Sequence, residues 1–109
     1  MGATKTTVFT EDQNRIADYA KALAHPARVA ILQFLVQRNA CVCGDIVDEL
    51  PLSQSTVSQH LKELKRIGVV QGTIEGPSVC YCIDPAGWEQ MKALLGDIIT
   101  SFPAQKSCC

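Results

Sequence analysis

The sequence predicts a small, mainly α-helical domain that carries one β-hairpin. Three observations lead there. A chain of 109 residues has the length of a single domain. Its apolar fraction of 47% comes mostly from Leu, Ile, Val and Ala, with only 6% aromatics, a mixture that suits packed helices better than stacked sheets. Apolar residues recur at steps of three and four through most of the chain, and short strand-like runs occur only between Val69 and Ile83.

The elements follow in order. Thr10-Glu-Asp-Gln13 is a capping box, and Ile16, Tyr19, Ala20 and Leu23 behind it form one face of a helix running to about Ala24. His25-Pro26 breaks that helix, and Pro26 opens the next, with Val29, Leu32, Leu35 and Val36 inward and an end near Asn39. Asp45 to Leu50 is a short third helix stopped before Pro51. Ser53 caps a helix reaching Ile67, with Val57, Leu61 and Leu64 inward and Gly68 as its stop. Val69–Ile74 and Val79–Ile83 form a hairpin around Glu75-Gly-Pro-Ser78. Asp84-Pro85 caps the last helix, where Trp88, Met91, Leu95, Ile98 and Phe102 repeat at heptad-like steps. That seam, with Ile16, Tyr19 and Leu23 of the first helix, is the expected homodimer interface. Residues 1–9 are expected to be a flexible N-terminus, 10–102 the folded domain, and 103–109 a mobile tail.

The order helix, helix, short helix, helix, hairpin, helix describes a winged helix-turn-helix with flanking helices. The helix after Pro51-Leu52 has the side chains a reading helix needs. Gln54, Ser55, Thr56, Ser58 and Gln59 are small or amide groups near its N-terminus, able to approach base edges. His60, Lys62 and Arg66 follow as candidate backbone contacts. The whole chain is nearly neutral, with 10 basic and 11 acidic residues, yet Leu52–Gln71 holds three basic residues against one acidic. No apolar run approaches a membrane span, and Met1–Glu11 lacks the charged-then-apolar pattern of a secretory signal, so a cytoplasmic protein is expected.

Six cysteines stand in pairs: Cys41-Val-Cys43, Cys80-Tyr-Cys82 and Cys108-Cys109. In a cytoplasmic chain they are expected to be reduced thiols, and thiols clustered this way suit soft-ion binding or redox sensing. Residues i and i+2 of a helix point about 200° apart, so Cys41 and Cys43 could share an ion only on extended chain. Ion binding is therefore expected to unwind the start of the third helix. Cys80 and Cys82 share the outer face of their strand, an exposed pair that suggests binding, but in a wing expected to lie far from the third helix, so they rank as metal ligands behind Cys41, Cys43, Cys108 and Cys109.

Ala22-Leu-Ala-His-Pro-Ala-Arg28, Cys41-Val-Cys43, Leu52-Ser-Gln-Ser-Thr-Val-Ser-Gln-His-Leu61 and Leu64-Lys-Arg-Ile-Gly-Val-Val70 together resemble the ArsR/SmtB family of bacterial metal- and metalloid-responsive repressors. The resemblance covers about residues 16–102. It implies a homodimer that binds double-stranded operator DNA, with the Ser53–Ile67 helix in the major groove and the hairpin as wing. It also implies that Cys41 and Cys43 hold trivalent arsenic or antimony as inducer, or a soft divalent ion such as cadmium or lead. Where the family's commonest arsenic site has a third cysteine, this chain has Ile46, so Cys108 or Cys109 is the expected third ligand. The wing departs from the family in carrying no Lys or Arg between Thr73 and Ser78. Zinc sensing on the last helix is disfavoured, since the only histidines are His25 and His60. A thiol-redox repressor is the competing reading on the same fold. A thiol enzyme is not expected, since no cysteine lies beside a phosphate-cradling loop or within C-x-x-C.

Overall fold

In the computed structural model, which describes residues 8–43, 50–73 and 80–103, local capping chemistry sets each helix start. Helix α1 spans Glu11–Ala22; Thr10 Oγ1 accepts from the Gln13 amide while the Gln13 side chain accepts from the Thr10 amide, closing both halves of the box. Helix α2, Pro26–Arg38, starts with Pro26 behind His25, whose Nδ1 accepts from the Ala27 amide at 3.0 Å, and ends on Asn39 in the left-handed conformation. Helix α3, Gln54–Ile67, is capped by Ser53 and stopped by Gly68 at φ 104°, a backbone conformation that favours glycine. Strands β1 (Val70–Thr73) and β2 (Cys80–Ile83) pair antiparallel, Val70 opposite Ile83 and Gln71 opposite Cys82. Helix α4, Pro85–Thr100, begins where Asp84 accepts from the Ala86 and Gly87 amides.

Mainly helical with one small hairpin, the described elements follow the expected winged helix-turn-helix order apart from its short third helix, with α3 in the place of the second helix of the motif and β1–β2 as the wing. The expected helix at Asp45–Leu50 and the turn at Glu75–Ser78 fall almost entirely outside the described residues, as do most of the N-terminal segment 1–9 and of the tail 103–109. Among the described residues no helix is long and apolar enough to cross a membrane.

The core joins Tyr19 and Ala22 of α1, Ile31, Leu32 and Leu35 of α2, Val57, Leu61 and Leu64 of α3, Val69, Val70 and Tyr81 of the wing, and Met91 of α4. Each fully buried large aliphatic side chain contributes about 1.5–3 kcal/mol. Helical periodicity misplaces three residues. Ala20, Leu23 and Val36 were expected inward but are exposed, and in α1 Ala22 takes the inward place beside Tyr19. α1 packs on α4 as well as α3, and Tyr19 Oη donates to Gln90 Oε1 at 2.9 Å to fix that crossing. A Cβ at Gly87 would overlap the carbonyl of Gly68, so the first turn of α4 lies directly on the end of α3.

Candidate nucleic-acid interface and thiol site

The N-terminal half of α3 presents the polar set the sequence singled out. Gln54, Ser55 and Gln59 are exposed, while Thr56 and Ser58 are half-buried. Ser53 Oγ accepts from the Thr56 amide and donates to Thr56 Oγ1 at 2.9 Å, so Thr56 is also part of the cap. Lys62 is exposed on the same helix. Arg66 is held by Glu63 in a two-pronged pair at 2.7 and 3.1 Å, and a phosphate would have to compete with that carboxylate. Lys65, which sequence reasoning left out of the site, donates to the Gly72 carbonyl at 2.7 Å and ties α3 to the wing.

His60 faces α2. Its Nδ1 accepts from Arg28 Nε at 3.1 Å and its ring lies 4.6 Å from that of His25. Desolvation, then the neighbouring His25 and Arg28 charges, hold the imidazole below its ordinary pKa. Arg28 also donates to the Lys21 carbonyl. His60 and Arg28 thus lock the two helices together.

The thiols are where the structure departs furthest from expectation. Cys41–Cys43 is extended chain, and Val42 forms an antiparallel bridge with Tyr81, exchanging backbone hydrogen bonds of 2.8 and 3.0 Å. Two expectations are corrected here. No helix has to unwind at Cys41–Cys43, because the pair already stands on one face of a strand. Cys80 and Cys82 are not remote from it but lie directly opposite, Cys82 against Cys41 and Cys80 against Cys43. The reason is the ladder: residues flanking a hydrogen-bonded pair occupy the narrow, non-hydrogen-bonded positions, where side chains approach most closely. Cys41 Sγ lies 2.8 Å from Cys82 Sγ. Cys43 and Cys80 are joined as a disulfide with Cα atoms 4.1 Å apart, so these two are not the reduced thiols expected. The hydrogen bond with Cys82, then desolvation and the charge Cys82 can carry, push the Cys41 thiol above its ordinary pKa.

Val42 and Tyr81 between the cysteines are buried, while Cys41 and Cys43 are exposed and Cys80 and Cys82 half-buried. A groove of about 490 Å³ opens on Cys41 and Cys82, floored by Leu35, Ile83 and Trp88. With the disulfide in place, no three free donors converge for a metal ion among the described residues. Cys108 and Cys109 lie outside the described residues.

Of the expected seam, Tyr19 and Met91 are buried inside the subunit, and Ile16, Trp88 and Leu95 are half-buried. Leu23, Ile98 and Phe102 are 44%, 52% and 77% exposed.

Comparison with known proteins adds the following. The profile of the family described as "Bacterial regulatory protein, arsR family" matches residues 25–71, from the His25 cap through α3 to Gln71 of the wing. An uncharacterized HTH-type transcriptional regulator of Mycobacterium tuberculosis is 40% identical over 67 residues, 62% of this chain and 59% of that relative. The chain thus spans about three fifths of that relative's length. An uncharacterized HTH-type transcriptional regulator of Methanocaldococcus jannaschii is 40% identical over 74 residues, 67% of this chain and 82% of the relative. The NMR structure of the cadmium metal-sensor CMTR from Mycobacterium tuberculosis matches with a TM-score of 0.54 at 30% identity, covering 86% of this chain and 96% of that one.

Proposed function

Because the chain belongs to the arsR family of bacterial regulatory proteins, we propose that it is a cytoplasmic transcriptional repressor, a homodimer released from operator DNA when trivalent arsenic or antimony binds cysteine thiolates. The observation that carries this reading is that Cys41 and Cys43 stand on one face of extended chain bridged to the wing strand, where both would be thiolates once the Cys43–Cys80 bond is reduced. Gln54, Ser55, Thr56, Ser58 and Gln59 read bases, and Lys62 and Arg66 contact phosphates. His60 serves from behind by fixing α3 on α2. Leu23, Ile98 and Phe102 are apolar surface left for the partner subunit, in keeping with a seam formed by α1 and α4.

Release requires that the ion bind the DNA-free conformation more tightly than the DNA-bound one. Couplings of this kind are about 1–3 kcal/mol, or roughly 5–150-fold in DNA affinity. The test starts from duplexes selected by the wild-type protein from a random pool, with binding read by fluorescence anisotropy during arsenite titration. Cys41→Ser and Cys43→Ser should fold, dimerise and bind the selected duplex, yet stay bound when arsenite is added. Release of Cys41→Ser at the wild-type arsenite concentration would remove this reading.

Two observations favour neighbouring readings. The likeness to a cadmium metal-sensor supports a soft divalent inducer such as cadmium or lead. The Cys43–Cys80 disulfide supports a redox-responsive repressor, in which two thiols and one peroxide give a disulfide and two waters. The same anisotropy assay with cadmium, arsenite or peroxide separates the three.

A further inference from the structure

We propose that Cys41, Cys43, Cys80 and Cys82, once the Cys43–Cys80 bond is reduced, form a single thiolate site for a thiophilic metal or metalloid ion, which the wing cysteines complete. The inference rests on the ion-released reading above and names where its remaining sulfurs come from.

Packing does not explain the four residues. A cysteine kept for packing is normally buried, and the residues that pack here are Val42 at 4% exposure and Tyr81 at 1%. The cysteines occupy the other face of both strands, in the same out-in-out pattern on each chain. Such a pattern sets four sulfurs at the corners of one small rectangle.

The dimensions fit. Tetrahedral coordination at sulfur distances of about 2.3 Å separates neighbouring sulfurs by roughly 3.8 Å. Across the strands, Cys41 and Cys82 are already closer than that, at 2.8 Å. Along each strand, residues two apart are separated by about 6.8 Å. A lean of about 1.5 Å by each sulfur shortens that separation, and opening the cross-strand pairs by about 1 Å with a relative twist of the two strands takes the sulfurs from a rectangle to a tetrahedron. Trivalent arsenic would take three of the four sulfurs and cadmium all four.

Opening the disulfide consumes two electrons and two protons and yields two thiols. A low-molecular-weight thiol of the cytoplasm supplies both as it is itself oxidised to a disulfide. Arsenite then loses its three hydroxyls as water, As(OH)3 + 3 RSH giving As(SR)3 + 3 H2O, with no further change in oxidation state.

The site is placed to reach DNA-contacting elements from two sides. Cys41–Cys43 precedes α3 in the sequence. Cys82 stands opposite Gln71, whose Nε2 lies 3.7 Å from Cys82 Sγ, and the adjacent Gly72 carbonyl accepts from Lys65 of α3. An ion that spreads the cross-strand sulfurs from 2.8 Å toward about 3.8 Å therefore shifts the wing against the Cys41–Cys43 segment.

The test uses the full-length protein, fully reduced, with arsenite and with cadmium chloride as probes. X-ray absorption should count three sulfurs around arsenic and four around cadmium, in wild type and in Cys108→Ser/Cys109→Ser alike. Cys80→Ser/Cys82→Ser should lose a sulfur from the arsenic shell, two from the cadmium shell, and at least tenfold in affinity for each. A second measurement needs no variant: bound arsenite or cadmium should shield cysteines of the 41, 43, 80 and 82 set from iodoacetamide, read by peptide mass spectrometry. Unchanged sulfur counts and affinity in Cys80→Ser/Cys82→Ser, or shielding of Cys108 and Cys109 in place of Cys80 and Cys82, overturns the proposal. An ion bound on these sulfurs without release of DNA supports the site and removes the release reading, so the two fail separately.

Discussion

Val42 and Tyr81, 39 positions apart in the chain, exchange both of their backbone hydrogen bonds and bury both side chains. That one bridge extends the wing by a third short segment and sets the register of all four neighbouring cysteines.

The raised pKa of Cys41 gives ion binding a diagnostic pH dependence. A protonated thiol must lose its proton to bind cadmium, so cadmium affinity should climb about tenfold per pH unit for each proton displaced. Arsenite consumes those protons in forming water, so its affinity should stay nearly flat from about pH 6 to pH 8. Competitive titrations across that range check both. A cadmium affinity independent of pH would show that the thiols are already ionised.

His60 predicts a loss of stability in mild acid. The unfolded chain takes up its proton near the ordinary value of about 6.5, and the folded chain only at lower pH. Between the two, the unfolded state binds more protons, so stability present above pH 6.5 falls as pH drops through that window. Urea unfolding between about pH 7 and pH 5 should show this fall, and His60→Gln should flatten it. A His60 imidazole titrating at or above 6.5 by NMR would contradict the argument.

At the proposed subunit seam the substitution matters. Leu95 is half-buried against its own core, so Leu95→Asp would damage the fold as well as any dimer. Ile98 is 52% exposed and gives the cleaner probe. Ile98→Asp should keep the melting temperature of the subunit and weaken dimerisation by about 2 kcal/mol or more, the cost of burying an unpaired charged group. Sedimentation that shows an unchanged dimer would move the seam elsewhere.

If α3 reads DNA as proposed, base reading and phosphate binding are separable on it. Gln59→Ala should cost about 1–3 kcal/mol on the selected duplex and little on random DNA. Lys62→Ala should weaken both alike and reduce the salt slope by about 1. Equal losses on both DNAs for Gln59→Ala would remove that residue from the reading set.

What could be read from sequence was whatever acts over a few residues. The Thr10–Gln13 box, the His25-Pro26 start, the Ser53 cap, the Gly68 stop and the Asp84-Pro85 start all involve side-chain and backbone groups within four positions of each other. They appear where expected. Periodicity named a helical face but not what covers it. Leu23 and Ile98 carry the apolar pattern and yet meet solvent in the single subunit. The thiol rectangle was hidden because it depends on a pairing between distant segments, Cys43 and Cys80 being 37 residues apart. One signal did exist. Two C-x-C triplets of identical spacing, each around an apolar residue, are what two facing strands with one wet side look like.

The contact of Gly87 with Gly68 has a consequence for the operator itself. Without side chains between them, the end of α3 and the start of α4 form a joint with no slack, and the Asp84 amide pins it further by donating to the Val69 carbonyl at 2.9 Å. In a dimer held through α4, the seam then acts as a gauge bar: the angle at which two last helices cross dictates how far apart the two α3 helices stand. On the proposed reading, the spacing of half-sites along the duplex would be set through this junction, and Gly87→Ala, whose Cβ would overlap the Gly68 carbonyl, would have to displace it.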